Sequence, residues 1–133
     1  PARVTFVVGR TPGALEGIIA VGKRSYLSEV MEIAGGRNIF DDSVVGYPKV
    51  SMEEILARKP DVIIDMGEHP DASTLTPNQQ QKEVAMWRKY SSIPASKNNR
   101  VHIVSSDLYV HPGPRVIELA RVMAELFHPG LKP

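Results

Sequence analysis

At 133 residues, with 42% hydrophobic and 23% charged content, the chain has the composition of one ordinary globular domain and not of a disordered segment. A net charge of +1 gives no electrostatic case for nucleic acid or an anionic membrane, and the absence of cysteine removes disulfides, thiolate nucleophiles and cysteine metal sites. No apolar run approaches the roughly 18 residues of a membrane-spanning helix, and no secretory leader is visible.

Residues 4–8 (VTFVV) form an apolar, β-branched run that predicts a central strand. Residues 10–22 read as a loop, with the turn signal Pro12-Gly13 and further punctuation at Gly17 and Gly22. Leu15, Ile18, Ile19 and Val21 within it imply that the loop packs on something. Ser25 then caps a helix to about Ala34, with Leu27, Val30, Met31 and Ala34 on one face and Gly35-Gly36 as its stop. A brief strand is expected at 38–40, followed by a loop to Lys49.

Residues 46–65 (GYPKVSMEEILARKPDVIID) carry the clearest signals. Ser51 and Glu54 make a capping box, and Val50 and Ile55 stand at the staple positions either side of the cap. Met52, Ile55 and Leu56 share one helical face, which leaves Glu53 pointing to water. Pro60 stops the helix, because it lacks an N–H and disfavours helical geometry at Lys59. Val62-Ile63-Ile64 follows as a buried parallel strand.

Residues 66–77 read as a loop and 78–90 as a helix begun by Pro77, with Val84 and Trp87 on its thin apolar face. Residues 94–100 read as a connector with an Asn98-Asn99 turn signal. Residues 101–104 (VHIV) read as a strand, 105–113 as a loop, and Pro114 opens a last helix that is apolar over more than half its girth. The alternation of strand and helix predicts a single-domain three-layer α/β sandwich over residues 1–133. Its mainly parallel four-stranded sheet is flanked by helices on both faces. In such sheets ligands sit beyond the carboxyl ends of the strands. The loops at 10–24, 41–49, 66–77 and 105–113 are therefore the candidate binding edge.

Chemistry on a substrate finds little support, and no catalytic residue is assigned. A small hydrolase-like enzyme is the rival reading. Ser105-Ser106-Asp107 lie near His102 and His111, but no G-x-S-x-G elbow exists. Asp41-Asp42 sit in a loop with no burial signal to separate their pKa values. No glycine-rich phosphate loop follows a strand. The four histidines, at 69, 102, 111 and 128, lack paired helical spacing, so no metal site is assigned. A flavodoxin-like signalling domain should show an acidic cluster at its strand ends, and only Asp65 qualifies.

Five pieces in order carry a resemblance: SYLSEVMEIAGGRNIF (25–40), VSMEEIL (50–56), KPDVII (59–64), Trp87 with Ile93-Pro94 and Asn99-Arg100-Val101, and PGPR (112–115). Together they resemble the C-terminal lobe of the substrate-binding proteins of ABC importers for cobalamin, ferric siderophores and haem. The resemblance covers essentially the whole chain. It implies a two-lobe protein with a long linking helix and the ligand between the lobes. On this reading the first lobe and the linking helix precede Pro1, and a lone lobe offers half a cleft. It further implies a periplasmic or membrane-anchored extracellular setting, with any signal sequence outside this chain. The partners implied are the permease subunits, with a corrinoid or metal chelate as cargo and no resident cofactor. Cobalamin is preferred, because the GYPKVS turn looks closest to cobalamin binders, with ferric siderophore and haem as alternatives.

The same resemblance implies residue roles. Glu53 matches the acidic residue that docks on a permease arginine; its plain alternative is to complement the helix dipole, worth about 0.3–1 kcal/mol. Tyr47 matches an aromatic lying in the cleft, where a flat ring suits a corrin or porphyrin; alternatively it packs its loop over the sheet. Tyr109, His111 and Arg115 belong to the last strand's loop or beside it. Arg115 could hold a carboxylate, amide or phosphate of the ligand with its planar fork, or order the loop by an ion pair. Residues 66–69, Gly67 among them, and Ala20-Val21-Gly22 are expected in the cleft floor. Trp87 is expected in the core.

Overall fold

The computed structural model describes residues 2–11, 13–23, 25–66, 76–104 and 116–128, with side chains from residue 120 onward in the last stretch. β1 (Ala2–Gly9) runs through the middle of the sheet. Its Val4, Thr5, Phe6 and Val7 are all buried, so both of its faces are covered, as its continuous apolar run requires. β5 (Val62–Asp65) lies parallel beside it, with Val7 opposite Asp65. β6 (Val101–Ile103) lies parallel beyond β5. On the other side β3 (Gly36–Asn38) runs parallel to the first half of β1. These are the four parallel strands expected from the alternation of elements.

Two short antiparallel strands join them. β2 (Ile18–Ala20) pairs with the second half of β1, and β4 (Lys49–Val50) pairs with β2, which completes a six-stranded mixed sheet among the described residues. β2 corrects the loop expected at 10–22. The chain turns back through Thr11, whose N–H donates to Glu16 O at 2.8 Å, and through Gly13 and Gly17 at positive φ. A strand of three residues is too short to show a period of two. The strand expected at 38–40 sits at 36–38 instead. Asn38 explains the shift: its side-chain amide donates to Val21 O, and its Oδ1 accepts the Phe40 N–H, which turns the chain out of the sheet.

Helices cover both faces. α1 (Tyr26–Ile33) and α5 (Val116–Phe127) share a core with Val4, Phe6, Val62 and Ile64. α2 (Met52–Arg58), α3 (Pro77–Arg88) and α4 (Pro94–Lys97) share the other with Val7, Ile18, Ile63 and Trp87. α4 is a one-turn helix within the expected 94–100 connector, opened by Pro94 at a first-turn position and tied down by the Ala95 N–H on Pro60 O at 3.0 Å. At Gly36 a Cβ would meet the Phe127 ring at 2.5 and 2.7 Å and Val4 Cγ2 at 3.1 Å. Gly36→Ala is therefore expected to cost about 1–3 kcal/mol through overpacking, read from the urea midpoint of the full-length protein. An unchanged midpoint would mean that the ring has room to move.

The capping chemistry is as the residues dictate. Ser25 accepts the Ser28 N–H, and Gly35 ends α1 at φ 87. Both arms of the Ser51–Glu54 box are made, and Lys59 leaves the helix in the left-handed region ahead of Pro60. α3 has a second box, Thr76 with Gln79, which sets its start at Pro77. α1 ends where β3 begins, and α2 ends where β5 begins. Their N-termini therefore stand at the opposite edge of the sheet, beyond the carboxyl ends of the parallel strands.

His102 on β6 is pushed down by burial and by the Arg100 charge. The folded state then binds a proton less readily than the unfolded chain, whose histidine titrates near pH 6.5. Stability is lost as pH falls below about 6.5, by at most about 1.4 kcal/mol per pH unit. His102→Gln should remove that share of the slope between pH 7 and 5. Parallel denaturation series on wild type and variant would expose a failure as two identical slopes.

Candidate ligand-facing edge

Tyr47 stands on a turn that the structure holds firmly. Ser43 Oγ donates to Val45 O at 3.1 Å and accepts the Val45 N–H at 3.3 Å. The Gly22 N–H donates to Gly46 O at 2.7 Å, and the Ala20 N–H to Pro48 O at 2.9 Å. The turn lies directly on Gly22, where a Cβ would fall 2.5 Å from Val45 O and 2.6 Å from Pro48 Cδ. Gly22 and its neighbours Ala20 and Val21 are thus buried, while Tyr47 keeps 51% of its surface and Val44 keeps 94%.

Glu53 is exposed in the first turn of α2, as its off-face position requires. Glu54 is committed to the cap, its Oε1 accepting the Ser51 N–H at 3.1 Å. Gly67, Tyr109, His111 and Arg115 lie outside the described residues. Of the 66–69 segment only Met66 is described, and it is buried. Asp42 is exposed and forms a two-bond ion pair with Arg58, at 2.9 and 3.1 Å, which holds its carboxyl below the usual range. Among the described residues no three His, Asp or Glu side chains converge as metal ligands.

A buried polar cluster went unrecognised in the sequence. Arg10, the residue after β1, and Asp65, the last of β5, bond through Nε and Oδ2 at 3.0 Å with both side chains fully buried. The Trp87 indole N–H donates to the same Oδ2 at 2.9 Å. A second guanidinium nitrogen pairs with Glu83, and the third reaches Thr11 O and Ala14 O at 3.4 Å each. Burial opposes the Arg10 charge, yet the two carboxylates hold its pKa above the ordinary value. Burial pushes the Asp65 carboxyl up, against the pull of Arg10 and the Trp87 N–H. Trp87 is core, as expected. The available signals were an Asp closing the buried VIID strand, an Arg following VTFVVG, and Glu83 and Trp87 one turn apart. Their meeting depends on β1 and β5 being neighbours.

This is an α/β fold with a mostly parallel sheet, and the carboxyl ends of its strands carry backbone-bonded turns and a buried charge cluster. The chain matches the periplasmic binding protein family over residues 2–108 and belongs to it. It is 34% identical over 119 residues to the vitamin B12-binding protein of Vibrio cholerae, covering 89% of this chain and 37% of that one. Among solved structures it is similar to the periplasmic vitamin B12 binding protein BtuF of Vibrio cholerae, with a TM-score of 0.72 and 28% identity, over 96% of this chain and 44% of that one. It is also similar to a possible iron-binding (periplasmic solute-binding) protein of Staphylococcus epidermidis, with a TM-score of 0.76 and 27% identity, over 96% and 45% of the two chains. The chain thus spans less than half the length of these relatives.

Proposed function

We propose that this chain is the C-terminal lobe of the substrate-binding component of an ABC importer, working outside the cytoplasm, and that it captures cobalamin or a related corrinoid and delivers it to the permease. The observation that carries the reading is the 34% identity, over 119 residues, to a vitamin B12-binding protein. The exposed Tyr47 ring supports it: a flat apolar surface on a pre-set turn suits the face of a corrin, since little freedom is lost on binding. On this reading the ligand is clamped between this lobe and a first lobe preceding it in the full-length protein. No bond of the ligand is made or broken, so no catalytic residue is required. On this reading Gly67, Tyr109, His111 and Arg115 are ligand contacts, and the planar fork of Arg115 suits a ligand amide, carboxylate or phosphate.

Calorimetric titration of the full-length protein with cyanocobalamin, a ferric hydroxamate siderophore and haem tests the reading. Tight binding of cyanocobalamin alone supports it. Tight binding of the iron chelate or haem alone moves the chain to the alternative cargo, which the likeness to the possible iron-binding protein favours. Glu53 is proposed to meet an arginine of the permease. Glu53→Ala in the full-length protein should then leave ligand affinity unchanged and slow uptake by roughly tenfold, the weight of one partly desolvated charge pair. Uptake at the wild-type rate would reduce Glu53 to a helix-dipole residue.

A further inference from the structure

The Arg10 cluster has a composition that stability alone does not explain. Buried ion pairs are often matched or exceeded in stability by well-packed apolar side chains of similar volume. What a buried guanidinium supplies is direction: its donors are fixed in a plane, and it stays charged at any ordinary pH. Here each donor direction is used on a different piece of chain. Nε holds the end of β5 through Asp65. One terminal nitrogen holds α3 through Glu83. The other reaches the carbonyls of Thr11 and Ala14 in the turn between β1 and β2. Asp65 in turn holds α3 a second time, through Trp87.

The location matters as much as the bonding. The tethered turn and the end of β5 lie at the carboxyl edge of the parallel strands, where a ligand of this fold sits, and α3 runs back from that edge to Asn99 ahead of β6. α3 gains from such a tether, because its exposed surface is polar nearly throughout and only Glu83 and Trp87 are buried in it. Among the described residues of the 11–17 turn, the backbone bonds within it are Thr11 N–H to Glu16 O and Ala14 N–H to Thr11 O. The apolar anchors of both pieces are few: Trp87 with half-buried Val84 in α3, and Leu15 in the turn.

We propose that Arg10 is a positioning residue for ligand binding: its guanidinium fastens the 11–14 turn, the end of β5 and α3 into one preformed edge, so that the ligand meets a surface already ordered. The proposal rests on the binding-protein reading for its ligand arm only. Preorganisation of this kind shows mainly as slower dissociation, because less ordering remains to be lost when the ligand leaves.

The test uses the full-length protein and cyanocobalamin as probe. Arg10→Met alone strands two carboxylates and could fail to fold, so it is paired with the triple variant Arg10→Met/Asp65→Asn/Glu83→Gln. The triple variant removes the three charges together and keeps an acceptor for the Trp87 N–H. Amide hydrogen exchange is followed without ligand in residues 10–17, 76–88 and 26–33, and cyanocobalamin dissociation is timed separately. Gly36→Ala, which strains the opposite edge of the sheet, serves as the control for general destabilisation.

The expected result for the triple variant is at least tenfold faster exchange in 10–17 and 76–88, unchanged exchange in α1, and roughly tenfold faster cyanocobalamin dissociation. Gly36→Ala should reproduce neither change. Uniform acceleration in all three segments, or unchanged exchange at 10–17 and 76–88, overturns the proposal, as does an unchanged dissociation rate. If wild type binds no cyanocobalamin but the local exchange pattern is found, the ordering role of Arg10 stands and the corrinoid reading falls.

Discussion

Asp65→Ala is expected to destabilise the protein by about 3–5 kcal/mol, the usual cost of removing one partner from a buried ion pair. Its Oδ2 accepts from both Arg10 Nε and Trp87 Nε1, and its side chain is fully buried. Truncation therefore leaves a buried guanidinium and a buried indole N–H short of an acceptor, besides the space of the lost carboxyl. Asp65→Asn should cost less, because its carbonyl oxygen can still accept from Trp87. Urea denaturation of the full-length protein reads both. A loss below about 1 kcal/mol for Asp65→Ala would mean that water or a shifted Glu83 takes over the vacated position.

Tyr47→Ala is expected to weaken cyanocobalamin binding by about tenfold, or about 1.4 kcal/mol, with no comparable change in stability. An aromatic ring stacked on a flat ligand contributes about 0.5–1.5 kcal/mol beyond its area, and truncation adds the loss of apolar burial. Stability should hardly move. The ring is half exposed, and the turn beneath it is fixed by backbone bonds from Ala20 and Gly22 that do not involve the ring. Titration calorimetry of wild type and variant decides the matter. Unchanged affinity with a lowered urea midpoint would return Tyr47 to the packing role that was its alternative reading.

Most of the architecture was legible because it is written locally. The Ser51–Glu54 box, the Gly35-Gly36 stop and Pro60 after Lys59 mark boundaries with chemistry confined to three or four neighbouring residues. The runs VTFVV and DVII declare burial on both faces. The misread pieces are those with too little local signal. β2 has only three residues. The 36–38 strand was shifted because Asn38 turns its side chain to Val21, a partner seventeen positions away. α4 is a single turn whose anchor is the carbonyl of Pro60.

The candidate edge divides in the same way. The exposure of Glu53 was legible from its place off the apolar face of a capped helix, whereas the ligand role proposed for Tyr47 rests on a family resemblance. The charge cluster was not legible. Arg10, Asp65 and Glu83 come from three elements, and Arg10 and Glu83 are 73 positions apart. Read singly, each is a polar residue at an element's end or on a polar helix, a place that ordinarily faces water. Helix boundaries, strand burial and the class of fold follow from short-range capping and periodicity, so the residues alone determine them. Which polar groups leave the solvent, and which turn lies on which glycine, depends on strand order. β1 and β5 become neighbours only when the sheet closes, and only then do their terminal charges share one low-dielectric site.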